Sequence, residues 1–317
     1  MCAVPGAPGL QIYTIGDGLL HAGGPGRFVG FCGVHTGWIE ARVRVLPGPP
    51  ARADVGWEAI SEATLWCPSG LLSVIGLMGG AAEPLTDVAV PRGLIRVRVH
   101  ARDRLHETVR TDGDPPERHE LHIWAVSEET PWRTLLAGPG GRVWEQKPAK
   151  AAEWAMLSLV RRPSGRPAIL PPPPPDPYED DTGLPRVAVL RRRPAPVEVP
   201  VGVLPAGDLA VRLERVDAET LTWSWARADE PIFPRPLTTL PDDEPSTVRL
   251  TSGPEGFTLR HEGVLGRHAS AIGLIWDHVL DAAGPYPWTA TLRAQAAEAT
   301  ALAETARRLR AEREAER

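Results

Sequence analysis

The sequence predicts a mostly β protein with helical additions, an α+β chain with two β-rich parts and a long C-terminal helix. Three observations predict it. Short runs that alternate apolar and polar residues fill positions 1–138 and return after position 186, the period of strands with one buried and one wet face. Clusters of Gly, Pro and Asp separate these runs as turns. The last segments, His268–Gly284 and Pro287–Arg317, read as helices.

Residues 1–138 are expected to form an antiparallel β-sandwich or barrel. Candidate strands are LQIYTI, RFVGFCGV, GWIEARVRVL, ISEATLWC, LLSVIGL, TDVAV, LIRVRVHAR and RHELHIWAV. Residues 147–162 are expected to be a connecting helix, with Pro148 in its first turn and several alanines. Residues 163–185 carry five consecutive prolines from Pro171 and read as an extended linker. A second, smaller β-rich domain spans 186–284, with strands RVAVLRR, DLAVRLERVD, ETLTWSWAR, STVRLTSG and GFTLRHEG before its helix. The 287–317 helix has a narrow stripe of Leu292, Ala296, Ala299, Leu302, Ala303, Ala306 and Leu309 that packs at home or on another chain. The run VAVPRGLIRVRVHAR is echoed by VGVLPAGDLAVRLER, each followed by a Trp-bearing return strand.

At 317 residues and 42% hydrophobic content, the chain is long enough for two domains. Its net charge of -5 gives no footprint for direct nucleic-acid binding. Lys147 and Lys150 are its only lysines and asparagine is absent, the usage of a GC-rich genome such as an actinobacterial one. Cys2, Cys32 and Cys67 are few, odd in number and widely spaced, so neither a disulfide framework nor a zinc finger is expected. No secretory leader and no membrane-spanning run is read, which makes the cytoplasm the expected compartment.

The candidate binding residues lie on one hairpin. With Ile95, Val97 and Val99 inward, Arg96, Arg98, His100 and Arg102 point outward. On the return strand Glu120, His122 and Trp124 point outward beside them. Arginines with a tryptophan are the composition of an interface hot spot; the other reading is a solvated sheet face or one covered by the chain's own helix.

The runs GWEAISEATLWCPSGLLSVIGL, VAVPRGLIRVRVHAR and ERHELHIWAV resemble a family of uncharacterised bacterial β-rich proteins. Its pattern falls on Trp57, Glu58, Glu62, Ala63, Thr64 and Leu65, then Pro68, Ser69, Gly70 and Leu72, then Val90, Pro91 and Gly93, then the alternating strand of Val97, Arg98 and Val99, and ends at Trp124. The resemblance covers about a third of the chain, all in the first domain. The shape is more loosely similar to the competence protein J type of nuclease inhibitor. It implies a β-rich fold and an association with inhibitors, and no activity.

No motif specifies a reaction. His119 and His122 in RHELH face opposite ways on a strand, so they lack the helical His-Glu-x-x-His geometry and no metal is expected. Pro68-Ser69-Gly70 is a turn rather than a nucleophile elbow, and no glycine-rich loop leads into Lys-Ser/Thr. Asp277, His278 and Asp281 share a helix without a placeable nucleophile. The acidic runs DPYEDD and PDDEP read as solvated loops, or as phosphate mimics in an inhibitor of a nucleic-acid-binding enzyme. The expectation is therefore a non-enzymatic protein without cofactor, an immunity or inhibitor protein or an accessory factor in a bacterial conflict system. Its partner would be a toxin, a nuclease or an assembly subunit. The alternatives are a scaffold subunit docked through the C-terminal helix, and an enzyme with a site between the halves.

Overall fold

The alternating runs become strands because each places apolar side chains on a shared core at every second residue. The computed structural model describes residues 2–3, 15–16, 18–22, 27–51, 55–76, 83–104, 109–138, 152, 155, 186–206, 209–227, 245–281 and 288–315. The first half holds β1 (Cys2–Ala3), β2 (Ile15–Gly16), β3 (Leu20–Ala22), β4 (Arg27–Gly30), β5 (Ile39–Val45), β6 (Ala59–Cys67) and β7 (Leu71–Val74). It continues with β8 (Val88–Ala89), β9 (Gly93–Arg102), β10 (Glu117–Ala125), β11 (Glu128–Glu129) and β12 (Arg133–Leu136). The second half adds β13 (Arg186–Arg193), β14 (Gly202–Ala206), β15 (Leu209–Arg215), β16 (Thr220–Arg227), β17 (Ser246–Gly253) and β18 (Gly256–Leu265). Helices at Ala269–Leu280 and Trp288–Ala315 follow. Of the expected 147–162 helix only Ala152 and Ala155 are described, both helical and buried. The 163–185 linker and the run DPYEDD lie outside the described residues, as does all of PDDEP except Pro245.

The described strands form three sheets. One runs β2-β3-β4-β1-β7-β8, the second β12-β6-β9-β10-β5, and the third β11-β13-β18-β17-β16-β15-β14. None closes on itself, so the barrel expected as one option for residues 1–138 is not formed. Pairing is antiparallel except between β5 and β10 and between β11 and β13. Both exceptions arise where the chain crosses over instead of turning back. β11 belongs to the stretch assigned from sequence to the first domain, yet it lies at the edge of the second half's sheet.

Two cores hold these layers. Ala63, Leu65, Ile95, Val97, Val99, Leu121 and Ile123 of the five-stranded sheet pack with Leu20, Phe28 and Leu72 of the six-stranded one. The second core gathers Trp223, Leu259, Ile272 and Trp276 of the second half, and it includes Trp66 and Leu94 of the first. Gly266 marks how close the halves come: a Cβ there would overlap the Trp66 ring.

One polar chain runs through the second core. Trp276 Nε1 donates to His261 Nδ1 at 3.1 Å, which leaves Nε2 to donate to Ser246 Oγ at 2.7 Å. Ser246 in turn donates to the Trp223 carbonyl at 3.3 Å. Burial pushes the His261 pKa down to about 3, so the ring is neutral and this tautomer satisfies both nitrogens. The echoed hairpins both form, but β9 sits between β6 and β10 while β15 sits between β14 and β16. The C-terminal helix touches β14, and its described part from Glu304 to Ala315 is exposed except Ala306. Among the described residues no helix is long and apolar enough to cross a membrane.

Candidate functional site

The hairpin register puts the expected polar row on one sheet face. Arg96 pairs with Trp124, Arg98 with His122, and His100 with Glu120. The row continues across neighbouring strands, where Thr64, Glu62 and Ile60 of β6 oppose Arg96, Arg98 and His100. On the other side Arg42 and Arg44 of β5 oppose Glu120 and His122. With Arg133 of β12 opposite Glu62, five strands share one charged face.

Half of that face is covered, contrary to the expected exposed row. Arg96, His100 and Trp124 are 4%, 3% and 4% exposed. The cause is the chain itself. Thr130 and Pro131 lie over β6 and β9, and their carbonyls accept from Arg96 Nη1 at 2.9 Å and Nη2 at 2.7 Å. Arg96 Nη1 also donates to Thr64 Oγ1 at 2.7 Å. Trp57 covers His100, with ring centroids 5.3 Å apart. Arg98 lies 5.4 Å from the Trp124 ring, a cation–π contact that closes off the indole.

At the centre of this covered part is a carboxylate the sequence reading did not select. Glu62 is 1% exposed. Its Oε1 accepts from Arg96 Nη2 at 3.3 Å and Arg133 Nε at 2.6 Å, and its Oε2 accepts from Arg98 Nε at 2.8 Å. Burial alone would raise its pKa, but the charges and hydrogen bonds of Arg96, Arg98 and Arg133 outweigh it and hold the carboxyl below its usual range. A signal was present: Glu62 sits in the resemblance pattern, on the strand beside Arg98.

A second buried junction joins the halves. Glu129 of β11 accepts from Arg191 of β13 at 2.6 Å and 3.3 Å, a bidentate pair. Arg191 also lies 2.9 Å from Asp277, and its Nε donates to the Gly273 carbonyl at 3.2 Å. Burial works against the Arg191 charge, but Glu129 and Asp277 outweigh it and push its pKa up. Asp277 and Asp281 of the Asp277–His278–Asp281 set bind Arg193 at 3.2 Å and 2.8 Å, an ion-pair role for both carboxylates.

The lower end of the face stays open. Arg102 is half exposed beside Trp57, 5.3 Å from its ring. Arg98, Glu120 and His122 are half-buried; His122 Nε2 meets Glu120 Oε1 at 2.6 Å, and Arg44 meets the same oxygen at 2.8 Å. Burial, followed by the neighbouring His122, pushes His100 down to about 4, so this histidine is neutral at physiological pH. The outer edge of β5 has no strand partner among the described residues. At its start Trp38 is 72% exposed, with its Nε1 donating to Asp112 at 3.3 Å.

On the opposite side of β10 lies a cluster that sequence spacing did not reveal. Glu117 is fully buried. Its carboxylate accepts from the Gly33 amide at 2.8 Å and 3.0 Å and from the Val34 amide at 3.0 Å. His119 Nε2 meets Glu117 Oε1 at 2.8 Å, and Arg104 Nε lies 3.5 Å from the same oxygen. Burial opposes charge on His119, but the Cys32 side chain and Glu117 outweigh it and push its pKa up to about 9. His119 and His122 do face opposite ways, as read from sequence; Cys32 arrives from a distant loop, so no local pattern announces it.

No family model and no curated protein matches the chain. Among solved structures, CalU16 from Micromonospora echinospora is similar over 38% of this chain and 88% of its own, at 19% identity and a TM-score of 0.20. A likeness that slight carries neither fold nor function across.

Proposed function

We propose that the chain is a non-enzymatic, cytoplasmic protein-binding protein, an immunity or inhibitor protein or an accessory factor in a bacterial conflict system. One observation carries the reading: the open end of the charged face meets the edge of β5, which has no strand partner among the described residues. There Arg42 and Arg44 have side chains 64% and 57% exposed, beside half-exposed Arg102 and Arg118 and exposed Trp38. Strand addition along β5 would supply backbone hydrogen bonds, and the arginines would select an acidic partner segment. The resemblance of the first domain to inhibitor-associated proteins points the same way, as does its sandwich-like pair of facing sheets. Arg98, Arg102, Glu120 and His122 border the contact. Arg96, His100 and Trp124 lie in the covered part of the same face.

The test is capture of the partner on the tagged chain from its host, repeated with a Trp38→Ala/Arg44→Ala variant. One stoichiometric toxin or nuclease, bound at least about tenfold more weakly by the variant, is expected for loss of a hot spot worth over about 1.4 kcal/mol. Equal affinity of both proteins, or no partner at all, overturns the reading. A scaffold role is favoured by one observation, the exposed last turns of the C-terminal helix with Leu309 51% exposed. It requires a large complex that is lost on removal of residues 288–317.

A further inference from the structure

We propose that Cys32, Glu117 and His119 form a binding site for a thiophilic divalent cation, Zn2+ by the chemistry of its donors, with a fourth position open to solvent. A sulfur, an imidazole nitrogen and a carboxylate oxygen from these residues all lie within 4.8 Å of one another. That convergence separates a metal site from a catalytic relay. In a relay the nucleophile and the orienting carboxylate occupy opposite nitrogens of the imidazole and stand well apart. Here the Cys32 sulfur and a Glu117 oxygen are neighbours.

The donors lie within reach of a tetrahedral ion after small side-chain adjustments. Zinc bonds of roughly 2.0–2.3 Å keep donor atoms about 3.3–3.7 Å apart. The His119–Glu117 contact of 2.8 Å has to open slightly, as the shared proton gives way to the cation. Cys32 closes the remaining gap by rotating its side chain, which is exposed and therefore also gives the ion its entry path. The surroundings are fixed. The Gly33 and Val34 amides hold Glu117 in place, the kind of outer hydrogen bonding that orients a ligating carboxylate. Gly33 itself is pinned, because a Cβ there would overlap the Arg104 carbonyl oxygen. A mixed S, N and O donor set disfavours Mg2+ and Ca2+, which take oxygen ligands, and favours Zn2+. Glu117 and His119 lie on the face of β10 opposite the charged row, so the site stands independently of the proposed partner surface.

Cobalt is the probe, because Co2+ takes zinc's place and its bond to a thiolate absorbs in the near ultraviolet. Chelator-treated protein is titrated with Co2+ and then with Zn2+. The expected result is one equivalent bound, a thiolate–cobalt absorption that Zn2+ abolishes, and a rise in melting temperature that grows with ion concentration. Cys32→Ser should remove the absorption and weaken binding by at least about 100-fold, the most that loss of an outer hydrogen-bond partner costs. His119→Gln should also lose the ion; if it fails to fold, Cys32→Ser decides alone. Wild-type protein that binds no stoichiometric Co2+, or a Cys32→Ser protein with the same absorption, overturns the site.

Discussion

Replacing Arg191 with methionine should destabilise the protein by about 3–5 kcal/mol, the range for breaking a buried ion pair by removing one partner. The structure supplies the reason. Arg191 and Glu129 are 1% and 5% exposed, so Arg191→Met leaves a carboxylate with no water and no bidentate partner. The Gly273 carbonyl loses a donor at the same time. Asp277 is not stranded, because it is partly exposed and keeps Arg193 at 3.2 Å. Taking the lower end of about 2–4 °C per kcal/mol for a long chain, the melting temperature should fall by roughly 6–10 °C. The double variant Arg191→Met/Glu129→Leu removes both charges and fills the space with apolar atoms, so it should recover most of the loss. Thermal and urea unfolding of wild type, both single variants and the double variant give the coupling directly. A single-variant loss below about 1 kcal/mol, or a double variant no better than the singles, would refute the claim that an uncompensated charge is the cost.

Gly273→Ala should destabilise, although alanine gains about 1 kcal/mol in a helix interior. The new Cβ would overlap Arg191 and stand 2.7 Å from Glu129 Oε2, and overpacking of about 1–3 kcal/mol wins; a higher melting temperature would contradict this. Glu62→Gln should cost about 3 kcal/mol by leaving Arg96, Arg98 and Arg133 around a neutral amide, read from the urea midpoint. Stability should also fall in acid. His261 and His100 have folded pKa values of about 3 and about 4, both set first by burial, against an ordinary 6.5. The unfolded chain takes up these protons first, so the stability these two rings contribute is complete above pH 6.5 and drops toward pH 4 by up to about 1.4 kcal/mol per pH unit per histidine. A urea midpoint that stays flat across that interval would show that the two rings are not buried neutral.

Strand positions were legible because alternation is local. Arg96, Arg98 and His100 do share a face with Trp124, His122 and Glu120, as period two demands. What the pattern could not reveal is which part of that face stays wet. Cover comes from Thr130 and Pro131 and from a second half joined through residues far along the chain. Glu129 finds its arginine 62 positions away. Cys32 reaches His119 only because the loop after β4 folds back onto β10. Parallel pairing of β5 with β10 was equally hidden, since neither strand differs in composition from an antiparallel one.

The path between Ala125 and Leu136 has a bearing on how the chain is made. It leaves the five-stranded sheet, lends two residues to the edge of the seven-stranded one, and returns to pair with β6. On a ribosome adding about 5–20 residues per second, Glu129 emerges some 3–12 seconds before Arg191. During that interval the Trp66 and Leu94 side chains have no apolar cover from the second half. The part synthesised first is thus completed by the part synthesised last, and a nascent chain arrested between them should expose Trp66 to solvent quenchers.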